Sequence, residues 1–303
     1  MTAPTDVPSF VDAHLHLWDL RTYHVWLHAD PPLETFIGPY QPICRDYLLA
    51  DLLDDIGELP VTKLVHIEAG FDPQDVAGET AWVQSLYDTS GMPQAAVGHA
   101  DLASPGLDAL LDAHAQHAVF RGVRQNLNWD PRPERSFIDR DGVMSEPAWR
   151  KGFARLVDRD LSFDLQVWPT QLAEAAALVA DFPAARVALN HAGFPMDRDP
   201  EGMALWRSGM QALADASENV VAKISGLGML DHRWTTQTIA PIVHDVIEIF
   251  GPDRVMVGSN FPVDRLYSSY ADIMLAFTEL TASLSPDERA AVFTGTAERF
   301  YRI

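Results

Sequence analysis

The chain predicts an α/β fold, a (β/α)8 TIM barrel, on three observations. Eight short apolar segments alternate with longer helical patterns along its length, the mark of parallel strands joined by crossover helices. Most of the segments are roughly 25 to 50 residues apart, room for one helix and two loops in each repeat. No glycine-rich phosphate loop follows the first segment, which disfavours the open doubly wound alternative. A length of 303 residues suits one such domain over 1–303, and 47% hydrophobic residues suffice for its core.

The predicted strands are 10–16, 62–68, 95–100, 119–125, 162–167, 186–191, 219–225 and 254–259. Between them, 46–59 is apolar with helical period and ends before Pro60. Ser104-Pro105 reads as a cap followed by proline at the first helical position. Ser145-Glu146-Pro147 opens another helix, and Thr170 is expected to cap the alanine-rich run 171–181. Ser285-Pro286-Asp287-Glu288 opens a late helix with acidic residues in its first turn. The longest irregular stretches, 17–44 and 126–144, both follow strands. They belong on the rim at the strand C-termini, where such loops form lids and substrate walls.

Charge narrows the function. With 22 basic and 43 acidic side chains the formal charge is -21, a surface that repels nucleic acid. Cys44 is the only cysteine, so neither an intrachain disulfide nor a thiolate metal site is available, and no reactive motif surrounds it. The opening MTAPTDVPSF has no basic-then-apolar leader pattern, and no apolar run reaches the ~18 residues of a membrane span. The expectation is a cytoplasmic protein acting on a small molecule, without membrane or nucleic-acid partners, with self-association left open.

Period-2 alternation assigns faces. It turns Asp12, His14 and His16 to one side of the first strand, His66 and Glu68 of the second, and Gly122 and Arg124 of the fourth. Asp164 and Gln166, His191, Lys223 and Ser225, and Gly258 and Asn260 follow on later strands. The other faces read Val65-Ile67, Leu165-Val167 and Val255-Val257, expected against the helices. A purely structural barrel interior would be Val, Ile and Leu. Burying these charges is costly unless they pair or work, so the pattern indicates an enzyme. Asp164 and Lys223 are expected to pair. His66 and His99 are expected in supporting or core positions, and Trp18, Trp26, Trp129 and Trp168 to give the rim an aromatic wall.

The opening Asp12-Ala-His14-Leu-His16, Phe-Arg-Gly-Val-Arg124, Asn-His191-Ala-Gly, Ala-Lys-Ile-Ser225-Gly and Gly-Ser-Asn260-Phe-Pro together resemble the amidohydrolase superfamily. Within it they are most similar to the lactonase-like branch that includes 2-pyrone-4,6-dicarboxylate and sugar-acid lactonases. The resemblance runs from Val11 to Tyr301. It implies that His14 and His16 bind a divalent metal or the substrate carbonyl, that His191 polarises the scissile carbonyl, and that Arg124 holds a substrate carboxylate or hydroxyl. It also implies an aspartate at the end of the eighth strand as proton acceptor.

Two positions depart from the pattern. Gln166 stands where metal-rich members carry histidine, and Asn260 replaces the aspartate. With these ligands at most one weakly held divalent ion, zinc, is expected on His14, His16 and His191. An amide has no useful basicity near pH 7, so Asn260 is expected to orient a carbonyl or water, and Glu68 or Asp264 to activate water. The function implied is hydrolysis of a small lactone or related cyclic ester. The alternatives are a metal-dependent decarboxylase or hydratase of an unsaturated or aromatic acid, and a non-catalytic binding barrel that has lost its base.

Overall fold

A computed structural model describes residues 7–303; the first six residues of the stretch read for a leader lie outside it. The strands are β1 Phe10–Leu15, β2 Val61–Ile67, β3 Ala95–His99, β4 Phe120–Asn126, β5 Ser162–Gln166, β6 Arg186–Leu189, β7 Val220–Ile224 and β8 Val255–Val257. They form one sheet in sequence order, every neighbouring pair parallel. Beyond β8 the chain returns to β1, where Asn260 N–H donates to His14 O and His16 N–H to Phe261 O, both at 2.7 Å. The eight-stranded barrel predicted from the alternation is therefore the fold.

The helices are α1 Leu49–Ile56, α2 Gly78–Ser90, α3 Leu107–His114, α4 Pro147–Asp158, α5 Leu172–Asp181, α6 Pro200–Ala216, the short α7 Leu227–Leu230, α8 Thr236–Phe250, α9 Tyr270–Leu280, α10 Pro286–Ala290 and α11 Thr296–Tyr301. Among the described residues none is long and apolar enough to cross a membrane. Pro147 starts α4, and the Ser285 side chain accepts from Glu288 N–H at the start of α10, as expected. Three boundaries differ. Tyr47 bridges to Trp18, which keeps 46–48 out of α1. Ser104 holds a turn ahead of α3, whose cap is Gly106. Thr170 lies within a 3-10 turn, Pro169–Gln171, that precedes α5.

Strand faces follow the expected alternation on β4, β5, β7 and β8 and fail on the first two strands. Val65 and Ile67 belong to the barrel interior, packed with Val11, Ala13, Val97, Val221 and Met256 over Phe300 and Tyr301 of α11. His66 points the other way, its ring between Leu17 N–H and Glu79 Oε1 of α2, at 3.2 and 3.1 Å. Asp12 also leaves the inward set. It accepts from Ser259 N–H and from the Tyr270 hydroxyl of α9, both at 2.9 Å, and so clasps β1 to the segment after β8. The β1–β2 pairing carries register shifts between Phe10 and Val11 and between Asp12 and Leu15. One such slip reverses every face that follows, which is how His14 and His16 still turn inward.

Above the apolar layer lies a charged one. Lys223 pairs with Asp164, both fully buried, and Tyr301 donates to both oxygens of that carboxylate, at 3.0 and 3.1 Å. The expected pair is therefore present. Lys223 Nζ also lies 3.3 Å from His14 Nδ1, which links this layer to the site above it.

Candidate active site

A cavity of about 300 Å³ opens at the C-terminal ends of the strands, within the size range of small-molecule pockets. His16, Glu68, Arg124, Asn126, Gln166, His191 and Asn260 reach it from near the strand ends. Residues 17–44 supply Val25, Trp26, Leu33, Thr35, Phe36 and Ile37, and 126–144 adds Phe137. Both irregular stretches thus lie at the expected rim. Of the four tryptophans only Trp26 lines the cavity; Trp18 is core, bonded to Arg45 O, and Trp168 stands behind Phe36.

Arg124 is held by Glu68. Its Nε donates to Glu68 Oε1 at 2.7 Å, one terminal nitrogen to the Glu68 carbonyl at 2.6 Å, and the other to Gln166 Oε1 at 3.4 Å. The second oxygen of Glu68 accepts from Gly70 N–H at 2.9 Å. Burial pushes the Glu68 carboxyl up, but the guanidinium of Arg124 outweighs it and holds the group below the usual carboxylate range. Glu68 is therefore a bound counter-ion with little basicity to spare. It is brought to the site, but the proton-accepting role expected of it does not suit its bonding.

Three histidines meet nearby. The His14 ring is 4.4 Å from His191 and 5.1 Å from His16, centre to centre. Burial holds all three well toward the neutral form, helped by Lys223 at His14 and by Arg124 at the others, with His16 at about 3. Their partners fix their tautomers. His16 Nδ1 lies 2.8 Å from Ile67 O, a pure acceptor, so Nδ1 carries the proton and Nε2 keeps its lone pair. His14 Nδ1 receives Lys223, so its proton sits on Nε2, which is buried without a hydrogen-bond partner. His191 Nδ1 lies 2.9 Å from Ser225 Oγ. His14 does not line the cavity; it lies beneath, against His16 and His191.

Presenting His191 costs backbone strain. Residues His191, Ala192, Gly193 and Phe194 all have positive φ, between 52° and 66°, a conformation that costs non-glycine residues energy and clusters at functional sites. Gly226, at φ +65°, allows the next strand's turn to pass; a Cβ there would stand 2.4 Å from His191 Nδ1. Asn260 also has positive φ, 56°, which asparagine tolerates better than most residues.

Asp264 is close to Asn260 and outside the cavity. Its Oδ1 accepts from Met229 N–H at 2.7 Å, and Gly226, Gly228 and Asn260 also bond it. Burial raises it to about 7 against those bonds. That value would suit a general base, but the carboxylate faces the 226–229 turn and not the substrate space. It positions Asn260 and Met229. Ser225, Phe36, Phe137 and Met229 were not among the catalytic candidates. Alternation could have ranked Ser225 higher; the others lie in loops and a short helix with no period to place them.

A parallel eight-stranded barrel with its polar residues gathered at the strand C-termini has the layout of a barrel enzyme. The chain belongs to the amidohydrolase family, whose model matches residues 11–303. It is 43% identical to the uncharacterized protein y4mH of Sinorhizobium fredii over 97% of this chain and 99% of that one. It is 32% identical to the L-fucono-1,5-lactonase of Burkholderia multivorans, covering 97% and 96%. A crystal structure of a Burkholderia multivorans amidohydrolase with bound zinc superposes with a TM-score of 0.80 at 28% identity, covering 98% and 100%. The protein is thus an enzyme of the hydrolase type acting on a small molecule.

The family generally uses a divalent metal, and the donors present here do not fit one. Among the described residues no three His, Cys, Asp or Glu side chains are arranged to hold an ion. The expected trio of His14, His16 and His191 meets as ring neighbours, but one nitrogen of His14 receives Lys223 and the other carries a proton. The carboxylate at the cavity, Glu68, is paired with Arg124, so it is not available to join the imidazoles as a further ligand.

Proposed function

We propose that the protein hydrolyses a small lactone by carbonyl polarisation and water attack, through side chains alone. The observation that carries this reading is the complementary pair of neutral imidazoles, His16 with a lone pair toward the cavity and His191 free to offer its Nε2 proton when Ser225 donates to Nδ1. The similarity to L-fucono-1,5-lactonase supports the lactone class.

In this mechanism the ring carbonyl oxygen lies between His191 Nε2–H, the Asn260 amide and the guanidinium of Arg124, donors that strengthen as negative charge develops on it. Water is held by His16 Nε2, which takes its proton as the oxygen attacks the carbonyl carbon. His16 is a weak base in the empty site, but the oxyanion forming beside it favours its charged form. Collapse of the tetrahedral intermediate breaks the bond between carbonyl carbon and ring oxygen, and the His16 proton passes to the departing alkoxide. The product is a hydroxy acid, whose carboxylate Arg124 holds.

A panel of five- and six-membered lactones, followed by acid release with a pH indicator, tests this. Hydrolysis of at least one, lost by roughly 10² or more in His16→Gln, is the expected result. Turnover of no lactone, or an undiminished His16→Gln enzyme, would sink it.

A further inference from the structure

We infer that the substrate carries an apolar substituent, alkyl or aryl, in place of a full set of ring hydroxyls; this rests on the lactone-hydrolase reading above. The polar groups of the cavity are confined to its floor. Above them the wall is carbon: Trp26, Leu33, Phe36, Ile37, Phe137 and Met229. The Trp26 indole N–H already donates to Ala69 O at 2.9 Å, so it offers the cavity no donor. Thr35 is the one polar side chain contributed by the 17–44 loop, and its hydroxyl accepts from Ile37 N–H at 3.3 Å.

The mouth is also where apolar surface is left bare. Seven large hydrophobic side chains are exposed on the described surface, and three of them, Val25, Leu33 and Phe137, line this cavity. Exposed apolar groups gathered at an opening indicate a ligand that covers them. Phe36 is braced edge-on by Phe137 at 5.9 Å and Trp168 at 5.1 Å, so the wall is built and not loose.

A lactone whose carbonyl reaches the floor must point its far side at this wall. Hydroxyls there would give up water partners and meet carbon, whereas an alkyl chain or phenyl ring would gain by leaving water. The site therefore selects an amphipathic lactone, with a polar ester end at the strands and an apolar end at the loops.

The test compares kcat/KM for six-membered lactones bearing hydrogen, propyl, pentyl or phenyl beside the ring oxygen with that for a polyhydroxylated 1,5-lactone of a sugar acid. Expected is a rise of roughly fourfold per methylene until the mouth is filled, a sugar lactone well below the pentyl compound, and a shallower series in Phe137→Ser. A flat series, or preference for the sugar lactone, would overturn the inference and leave the hydrolase reading intact. If no lactone turns over, that reading falls, and titration with the ring-opened hydroxy acids, followed by tryptophan fluorescence, decides the inference alone. Tighter binding of the pentyl acid than of the polyhydroxy acid supports it; equal or reversed affinity overturns it.

Discussion

Lys223 of β7 and Asp164 of β5 form an ion pair inside the barrel with no solvent exposure on either side chain, and the Tyr301 hydroxyl completes the carboxylate's bonding. This pair supports the histidines above it, because the same ammonium group fixes His14.

Lys223→Ala strands a buried carboxylate, which costs on the order of 3 to 5 kcal/mol. Replacing both partners with apolar residues of similar volume should recover most of that loss. Urea denaturation of the single and double variants measures both; a Lys223→Ala protein with wild-type stability would contradict the pairing.

Asp264 makes stability depend on pH in the direction opposite to most carboxylates. Its folded value is raised to about 7 by burial, above an unfolded value of about 3.9. Between the two the unfolded chain has released a proton that the folded chain retains, so stability falls as pH rises. The contribution is full below about pH 4 and lost above about 7, on the order of 4 kcal/mol in all. Asp264→Asn should remove this component. Stability curves for the two proteins from pH 4 to 8 that run parallel would refute it.

Asn260→Ala should lower turnover by roughly 10² to 10³, the usual effect of losing one donor to a developing oxyanion. Asn260→Asp should also lose activity, because it sets a second carboxylate beside Asp264 and turns a donor into an acceptor. Steady-state kinetics on any lactone found to turn over decides this; an Asn260→Asp enzyme faster than wild type would show that the missing aspartate is the better base in this frame.

Removal of divalent ions by a chelator should leave kcat unchanged within error, since His14 has no free lone pair and Glu68 no free charge. Activity abolished by chelation and restored by zinc would require Lys223 to release His14, and would overturn the tautomer assigned here.

The barrel was legible because its repeat is expressed twice in the sequence, in eight apolar segments and in the helical patterns between them. The faces of β4, β5, β7 and β8 were legible for the same reason, as was the Asp164–Lys223 pair. The assignments of Asp12, Val65, His66 and Ile67 failed because counting by twos presumes an unbroken pleat, and the pairing of β1 with β2 shifts register. Glu68 and Asp264 were both visible as inward or nearby carboxylates. The inward faces of Glu68 and Arg124 made their pairing as legible as that of Asp164 with Lys223, whereas the bonding of Asp264 to the 226–229 turn was not, because Asp264 lies past the last strand with no period to give it a face. The phenylalanines of the cavity wall lie in irregular loops, where nothing periodic marks them.

The separation of a polar floor from an apolar mouth has an evolutionary consequence. The floor is written in strand ends, where each change disturbs the barrel's pairing and its buried charges. The mouth is written in two loops that brace one another through Phe36 and Phe137 and are anchored to the core through other side chains, such as Trp18, Leu27 and Tyr40. Descendants of such a chain can inherit the bond-breaking apparatus intact while diverging in what they admit, so kinship at the floor foretells the kind of bond cleaved, and only kinship in the loops foretells the molecule that contains it.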